Sequence, residues 1–193
     1  VADLKAKIIS EMFDNYLIKN NINHILQLSN EYRFDIDYNR NESFDSEWRQ
    51  FFRKKINSLL ITYDKIFVLE IHSYPNDTPS FPKNKDMIIM NNNFTKKNGL
   101  ILNKYLQNKN FDVEFVEGNY QLNDIQHELT LTSEKIIPFL LEFNENERLS
   151  DYYFENLIET IIEHLNNTSE INKIINNTNF TIINLIINFI KKN

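Results

Sequence analysis

The strongest periodic segment runs from Ser46 to Leu60, where Trp48, Phe51, Phe52, Ile56, Leu59 and Leu60 share one face of a helix. A second helix is expected over Leu149–Leu165, with Tyr153, Leu157, Ile161 and Leu165 at four-residue steps and Ser150 placed to cap it. Phe94–Leu106 reads as a third, capped by Asn92 or Asn93. Leu4–Leu28 is expected to be helical with a break at Asn20-Asn21, because Ile8, Met12, Tyr16, Ile25 and Leu28 recur at helical intervals. Lys65–His72 behaves differently. Its run Ile66-Phe67-Val68-Leu69-Glu70-Ile71 is short, almost wholly apolar and rich in β-branched and aromatic residues, which predicts a buried central strand. Ile136–Phe143 predicts another, and Tyr32–Asp37, Met87–Met90 and Asp112–Val116 predict shorter ones.

Between these elements, Tyr74–Lys85 reads as a loop punctuated by Pro75, Pro79 and Pro82, and Gly118–Thr132 as polar and irregular. Strands alternating with helices predict an α/β fold, its sheet mixed or largely parallel and flanked by helices. Thr168–Ile190, rich in Asn and Ile, reads as helical. The expected organisation is an α/β domain over 1–166 and a C-terminal helical extension over 167–193. Ile182–Ile190 is too short and too interrupted by Asn to span a bilayer, so no membrane role is expected. A helix packing on the domain or on a protein assembly partner fits better.

Composition narrows the chemistry. A formal net charge of -6 and no long basic run argue against a nucleic-acid partner. The chain has no cysteine, so a thiol nucleophile and thiolate ligands are excluded, and any zinc site must use His, Asp and Glu. The apolar content suits a soluble domain with a real core, and no secretory signal is visible after Val1. Only Gly99 and Gly118 are glycines, while Asn, Ile and Lys abound, a bias read as compositional drift.

In open α/β sheets, ligands bind beyond the carboxyl ends of the strands. Three polar groups are expected there: Asp37-Tyr38-Asn39-Arg40, His72-Ser73 and Glu142. A neutral imidazole at a strand mouth is a good zinc ligand, the competing reading being a hydrogen-bonded strand-end histidine. His24, in a stretch read as helical, His127, in the polar loop, and His164, on a solvent face, are weaker candidates. Arg40 could grip a carboxylate with paired hydrogen bonds and Asn39 could add another, against a surface Arg40 paired with Glu42 or Asp45. Glu142, flanked by Leu141 and Phe143, suits acid–base work if buried, and otherwise is a solvent-facing strand end. Glu70 alternates with His72, which places both on one face, where Glu70 could orient a ligand.

Phe34-Asp35-Ile36-Asp37-Tyr38-Asn39-Arg40 resembles the Asp-X-Asn-Arg signature of the N-formylglutamate amidohydrolases, and the Asn-Arg element also resembles that of the wider zinc metallocarboxypeptidase superfamily. Val68-Leu69-Glu70-Ile71-His72-Ser73-Tyr74-Pro75 resembles the strand ending in a His-Ser zinc ligand, and Pro138-Phe139-Leu140-Leu141-Glu142-Phe143 the late strand with the catalytic glutamate. The match covers roughly residues 30 to 165 in the same order. It implies a phosphorylase/hydrolase-like, zinc carboxypeptidase-like fold and zinc as cofactor. It further implies His72 as a metal ligand, Glu142 as general base and acid, and Asn39 and Arg40 as the clamp on a substrate carboxylate. The implied substrate is a small N-acyl amino acid or a peptide C-terminus. The family also uses a His and an acidic ligand from an early strand. No His-X-X-Glu precedes Asp37 here, so either that strand is missing from this chain or the metal site has been lost, with Asp3 the acidic candidate. The alternative is a non-catalytic structural or binding protein that keeps the fold within a larger assembly.

Overall fold

The structure is a computed structural model that describes residues 5–28, 44–79, 81–82, 84–117, 124–146, 149–176 and 180–186. Its elements are α1 (Ala6–Lys19), β1 (His24–Leu28), α2 (Glu47–Thr62), β2 (Lys65–Tyr74), β3 (Met87–Asn91), α3 (Lys96–Asn108), β4 (Val113–Glu117), α4 (Asp124–Thr132), β5 (Ile136–Asn144), α5 (Asp151–Asn176) and β6 (Phe180–Ile186). The strands form one sheet in the order β1-β6-β2-β5-β3-β4. β1, β6, β2 and β5 are mutually parallel, whereas β3 and β4 run together and antiparallel to β5. The expected α/β class with a mixed, largely parallel sheet is therefore present.

β2 lies between β6 and β5 and is buried on both faces from Ile66 to Tyr74, which is why its sequence lacks polar alternation. Successive side chains point to opposite faces. Phe67, Leu69 and Ile71, with Phe139, Leu141 and Phe143 of β5, pack on α1, α3 and α5 through Ile9, Phe13, Leu102, Leu106, Phe154, Leu157 and Ile161. Ile66, Val68 and Ile136 face the other way, onto Phe52, Ile56 and Leu59 of α2 and Ile125 and Leu129 of α4. Residues 63–64 join α2 to β2, and residues 133–135 join α4 to β5. Connections this short turn each helix back along its strand, so the N-termini of α2 and α4 lie at the carboxyl ends of β2 and β5.

Several expectations change. Ile25 and Leu28 belong to β1 rather than to a helix, because the break at Asn20-Asn21 is a full stop. Asn21 adopts φ 52°, with its N–H bonded to Ile18 O (3.1 Å) and the N–H of Ile22 bonded to Leu17 O (3.0 Å). Asn110 closes α3 in the same way, at φ 67°. Both are helix ends in which a left-handed residue, usually glycine, turns the chain, and asparagine tolerates that conformation better than most residues. The Gln126 region, read as irregular loop, forms α4. The stretch expected as a C-terminal helical extension over 167–193 divides: α5 continues to Asn176, and Phe180–Ile186 is β6, inserted between β1 and β2. A short apolar run such as Thr181-Ile182-Ile183 suits either a helix or a strand, and the sheet position between β1 and β2 selects the strand. Within α2, Phe51 is 55% exposed and Arg49 is fully buried, because Arg49 pairs with Glu128 of α4. Ser46 caps α2, accepting from the Arg49 N–H at 3.3 Å, and Ser150 accepts from the Tyr153 N–H at α5. The expected cap at the third helix is a turn: Asn92 Oδ1 accepts from the N–H groups of Phe94 and Thr95 just ahead of α3. Among the described residues no helix is long and apolar enough to cross a membrane.

Two outcomes follow from this packing. A Cβ on Gly99 would sit 2.7 Å from Phe115 Cε2 and 2.9 Å from Asn91 Oδ1, and Asn91 is held by its amide bonds to Thr95 Oγ1 and Pro138 O. Gly99→Ala should therefore cost about 1–2 kcal/mol, overpacking outweighing the gain in helix propensity. A lower urea midpoint checks this, and a higher one refutes it. His164 is not on a solvent face: it is half-buried, with its ring 4.7 Å from that of Tyr105, and burial lowers its pKa below the ordinary 6.5. The unfolded chain thus takes up the proton first. The contribution is complete above 6.5 and is lost as pH falls through the depressed folded value. Unfolding free energy between about pH 7 and 5 should fall less steeply in His164→Phe than in the natural chain.

Candidate functional site

Glu70, His72 and Tyr74 lie on the α2/α4 face at the carboxyl end of β2, since they alternate with the α1-facing residues. His72 is directly in register with Glu142 of the parallel β5, which sets their Cα atoms about 4.8 Å apart. Side chains of register partners share a face, so His72 and Glu142 are neighbours at the strand ends. Two of the residues read from the sequence are thereby brought together. The others, Asp3, Asn39 and Arg40, lie outside the described residues.

His72 Nε2 is 3.1 Å from Glu70 Oε1, and the two residues are 4% and 1% exposed. A buried carboxylate on an imidazole nitrogen fixes the orientation of the ring. Glu142 is only partly buried. Tyr74 completes the row. Its hydroxyl donates to Lys85 O at 3.1 Å, and its pKa is pushed up to about 12, first by burial and further by the carboxylates of Glu142 and Asp86. It stays a neutral hydrogen-bond donor at any physiological pH.

The helices add groups that periodicity did not reveal. Arg49 and Arg53, one turn apart on α2, both grip the Glu128 carboxylate of α4. Arg53 also stacks on the Phe44 ring at 3.9 Å and donates to Phe44 O at 2.7 Å. The available signal was Arg49 beside Trp48 and Phe52, a charge on the edge of the apolar face. Only the partner Glu128, from distant sequence, explains its burial.

The remaining histidines are elsewhere. His24 is on β1, not in a helix, with Nε2 2.8 Å from Asp14 Oδ1 and Nδ1 2.8 Å from Ile22 O. His127 is exposed on α4 beside Phe94. A cleft of about 150 Å³ between α2 and α4 is lined by Phe52, Arg53, Ile56, Asn57, Glu128, Leu129 and Thr132, without His72 or Glu142. Among the described residues no group of three or more His, Asp and Glu side chains is arranged to hold a metal ion. No family model, curated protein or solved structure matches this chain.

Proposed function

We propose that this chain is a zinc-dependent amidohydrolase of the kind the N-formylglutamate amidohydrolases represent, cleaving the amide bond of a small carboxylate-bearing substrate. The observation that carries the reading is the in-register pair His72 and Glu142 on adjacent parallel strands, with Glu70 holding the His72 ring. Among the described residues His72, its imidazole oriented by the buried Glu70 carboxylate, is the one candidate zinc ligand, and the rest of the set comes from the resemblance. His72 would hold the ion by resemblance, with Asp3 the candidate acidic ligand, and zinc when bound would supply Lewis-acid polarisation of the amide carbonyl and a lowered pKa for bound water.

The chain's own groups do the rest. Glu142 would take a proton from the attacking water and return it to the leaving nitrogen. Asn39 and Arg40 hold the substrate carboxylate, which fixes the amide against Glu142. Glu70 keeps the His72 ring from rotating out of position. A second reading has one observation in its favour. Glu70 and His72 are almost fully buried and bonded to each other through Glu70 Oε1, as an internal pair would be in a non-catalytic descendant that keeps the fold as a structural or binding protein.

Metal analysis of the metal-replete protein separates the two. The hydrolase should retain about one zinc per chain. His72→Gln, which keeps a donor toward Glu70, should lose it while remaining folded. A metal-free natural protein would sink the proposal. Against N-formyl and N-acetyl amino acids, Glu142→Gln should keep zinc and lose about 10²–10⁴-fold in kcat. Arg40→Ala should instead raise KM, an effect absent for an amide without a carboxylate. Equal turnover by Glu142→Gln would remove Glu142 from the mechanism.

A further inference from the structure

We infer that the outer sides of α3 and α5 are the two halves of a self-complementary interface through which two copies of this chain associate. These helices lie across the sheet from the face that carries His72 and Glu142, so the inference is independent of the hydrolase reading.

α3 packs inward through Gly99, Leu102 and Leu106. On its outer side Leu100 and Ile101 are 43% and 47% exposed, adjacent to each other rather than scattered. Two rows of side chains at four-residue steps run along that side: Asn93, Lys97 and Ile101 in one, Lys96, Leu100 and Lys104 in the other. The same six residues line an open groove of about 510 Å³. Although the chain has a net charge of -6, α3 carries three lysines and no acidic residue. Lys96 pairs with Glu117, whereas Lys97 and Lys104 have no acidic partner among the described residues.

α5 presents the opposite charge. Asp151, Glu155, Glu159 and Glu163 follow one another at four-residue steps and are all exposed, and no Lys or Arg occurs over 151–163. Side chains at this spacing form one ridge along a helix, and like charges along it repel. Glu163 lies 3.6 Å from Lys109 and Glu159 accepts from the Tyr16 hydroxyl at 3.5 Å, while Asp151 and Glu155 have no cation among the described residues. α5 is the neighbour of α3 in the same layer: the Tyr105 ring is 4.7 Å from that of His164, and the Phe111 ring 5.6 Å from that of Tyr153.

A groove between two rows of side chains on a helix is shaped for a ridge of another helix. A groove framed by lysines calls for an acidic ridge, and this chain supplies both. A two-fold axis lying in the face, midway between the two stripes and perpendicular to the line joining them, sets α3 of each copy on α5 of the other. Lys97 and Lys104 then meet carboxylates of the ridge, and Tyr152, 73% exposed beside it, adds apolar surface toward Leu100 and Ile101. An anionic membrane fits less well, because it would bring the α5 carboxylates of the same face against lipid phosphates.

The test is sedimentation equilibrium on the natural protein, Lys97→Glu/Lys104→Glu and Glu155→Lys/Glu159→Lys. The natural protein should dimerise reversibly, and added salt should weaken the dimer. Each variant alone sets like charges face to face and should dimerise about tenfold or more weakly. An equimolar mixture of the two variants restores opposite charges at both contacts and should form a 1:1 heterodimer. All four substituted side chains are exposed, and circular dichroism checks that both variants are folded. A natural protein that stays monomeric, a dimer that either variant leaves unchanged, or variants that do not associate on mixing would each overturn the inference. Natural monomer that binds vesicles containing phosphatidylserine would overturn it too, and assign the α3 face to a membrane.

Discussion

The burial of β2 on both faces constrains everything around it. A central strand in a parallel sheet has no wet side, so each polar group near its end needs a partner inside the protein. Glu70 and His72 meet this demand with each other, Ser73 with Glu145 and the first turn of α1, and Tyr74 with Lys85. Removing one member of such a buried pair leaves the other desolvated and uncompensated, at about 3–5 kcal/mol for a charge. Ser73 and Tyr74 thereby tie α1 and the following loop to the strand end that carries the Glu70–His72 pair. That is also where an α/β sheet binds its ligands.

The flanking helices reinforce the same edge. α2 and α4 each run back along the strand they precede, which brings their N-termini toward Glu70, His72 and Glu142. Arg49, Arg53 and Glu128 lock the two helices to each other on that face. Arg53 also secures Phe44, where the chain arrives from Asn39 and Arg40. On the opposite face, Ser73 secures Lys5, where the chain arrives from Asp3. Phe44 and Lys5 are thus each held by polar bonds on opposite faces of the sheet. The anchors are polar and specific, which suits a region where packing alone would allow the chain to slide.

The scarcity of glycine has a structural answer. Asn21 and Asn110 take the left-handed positions that end α1 and α3, and Asn84 takes another in the loop after β2. Asparagine accepts these angles at modest cost, so an Asn-rich chain can close its helices without glycine. Gly99 is kept for a different reason: its missing Cβ is what lets α3 approach Phe115 and Asn91.

From the sequence alone, the helical periods of α2 and α5, the doubly buried strands β2 and β5 and the α/β class were legible, because a one-sided or two-sided apolar pattern survives in one dimension. So was the shared face of Glu70 and His72, since strand alternation is local. The nature of Phe180–Ile186, the burial of Arg49 and the pairing of His72 with Glu142 were not. Each depends on a partner far along the chain: the gap between β1 and β2, the carboxylate of Glu128, the parallel register with β5. Local pattern states what a segment can bury, whereas only the tertiary structure decides against which surface it is buried.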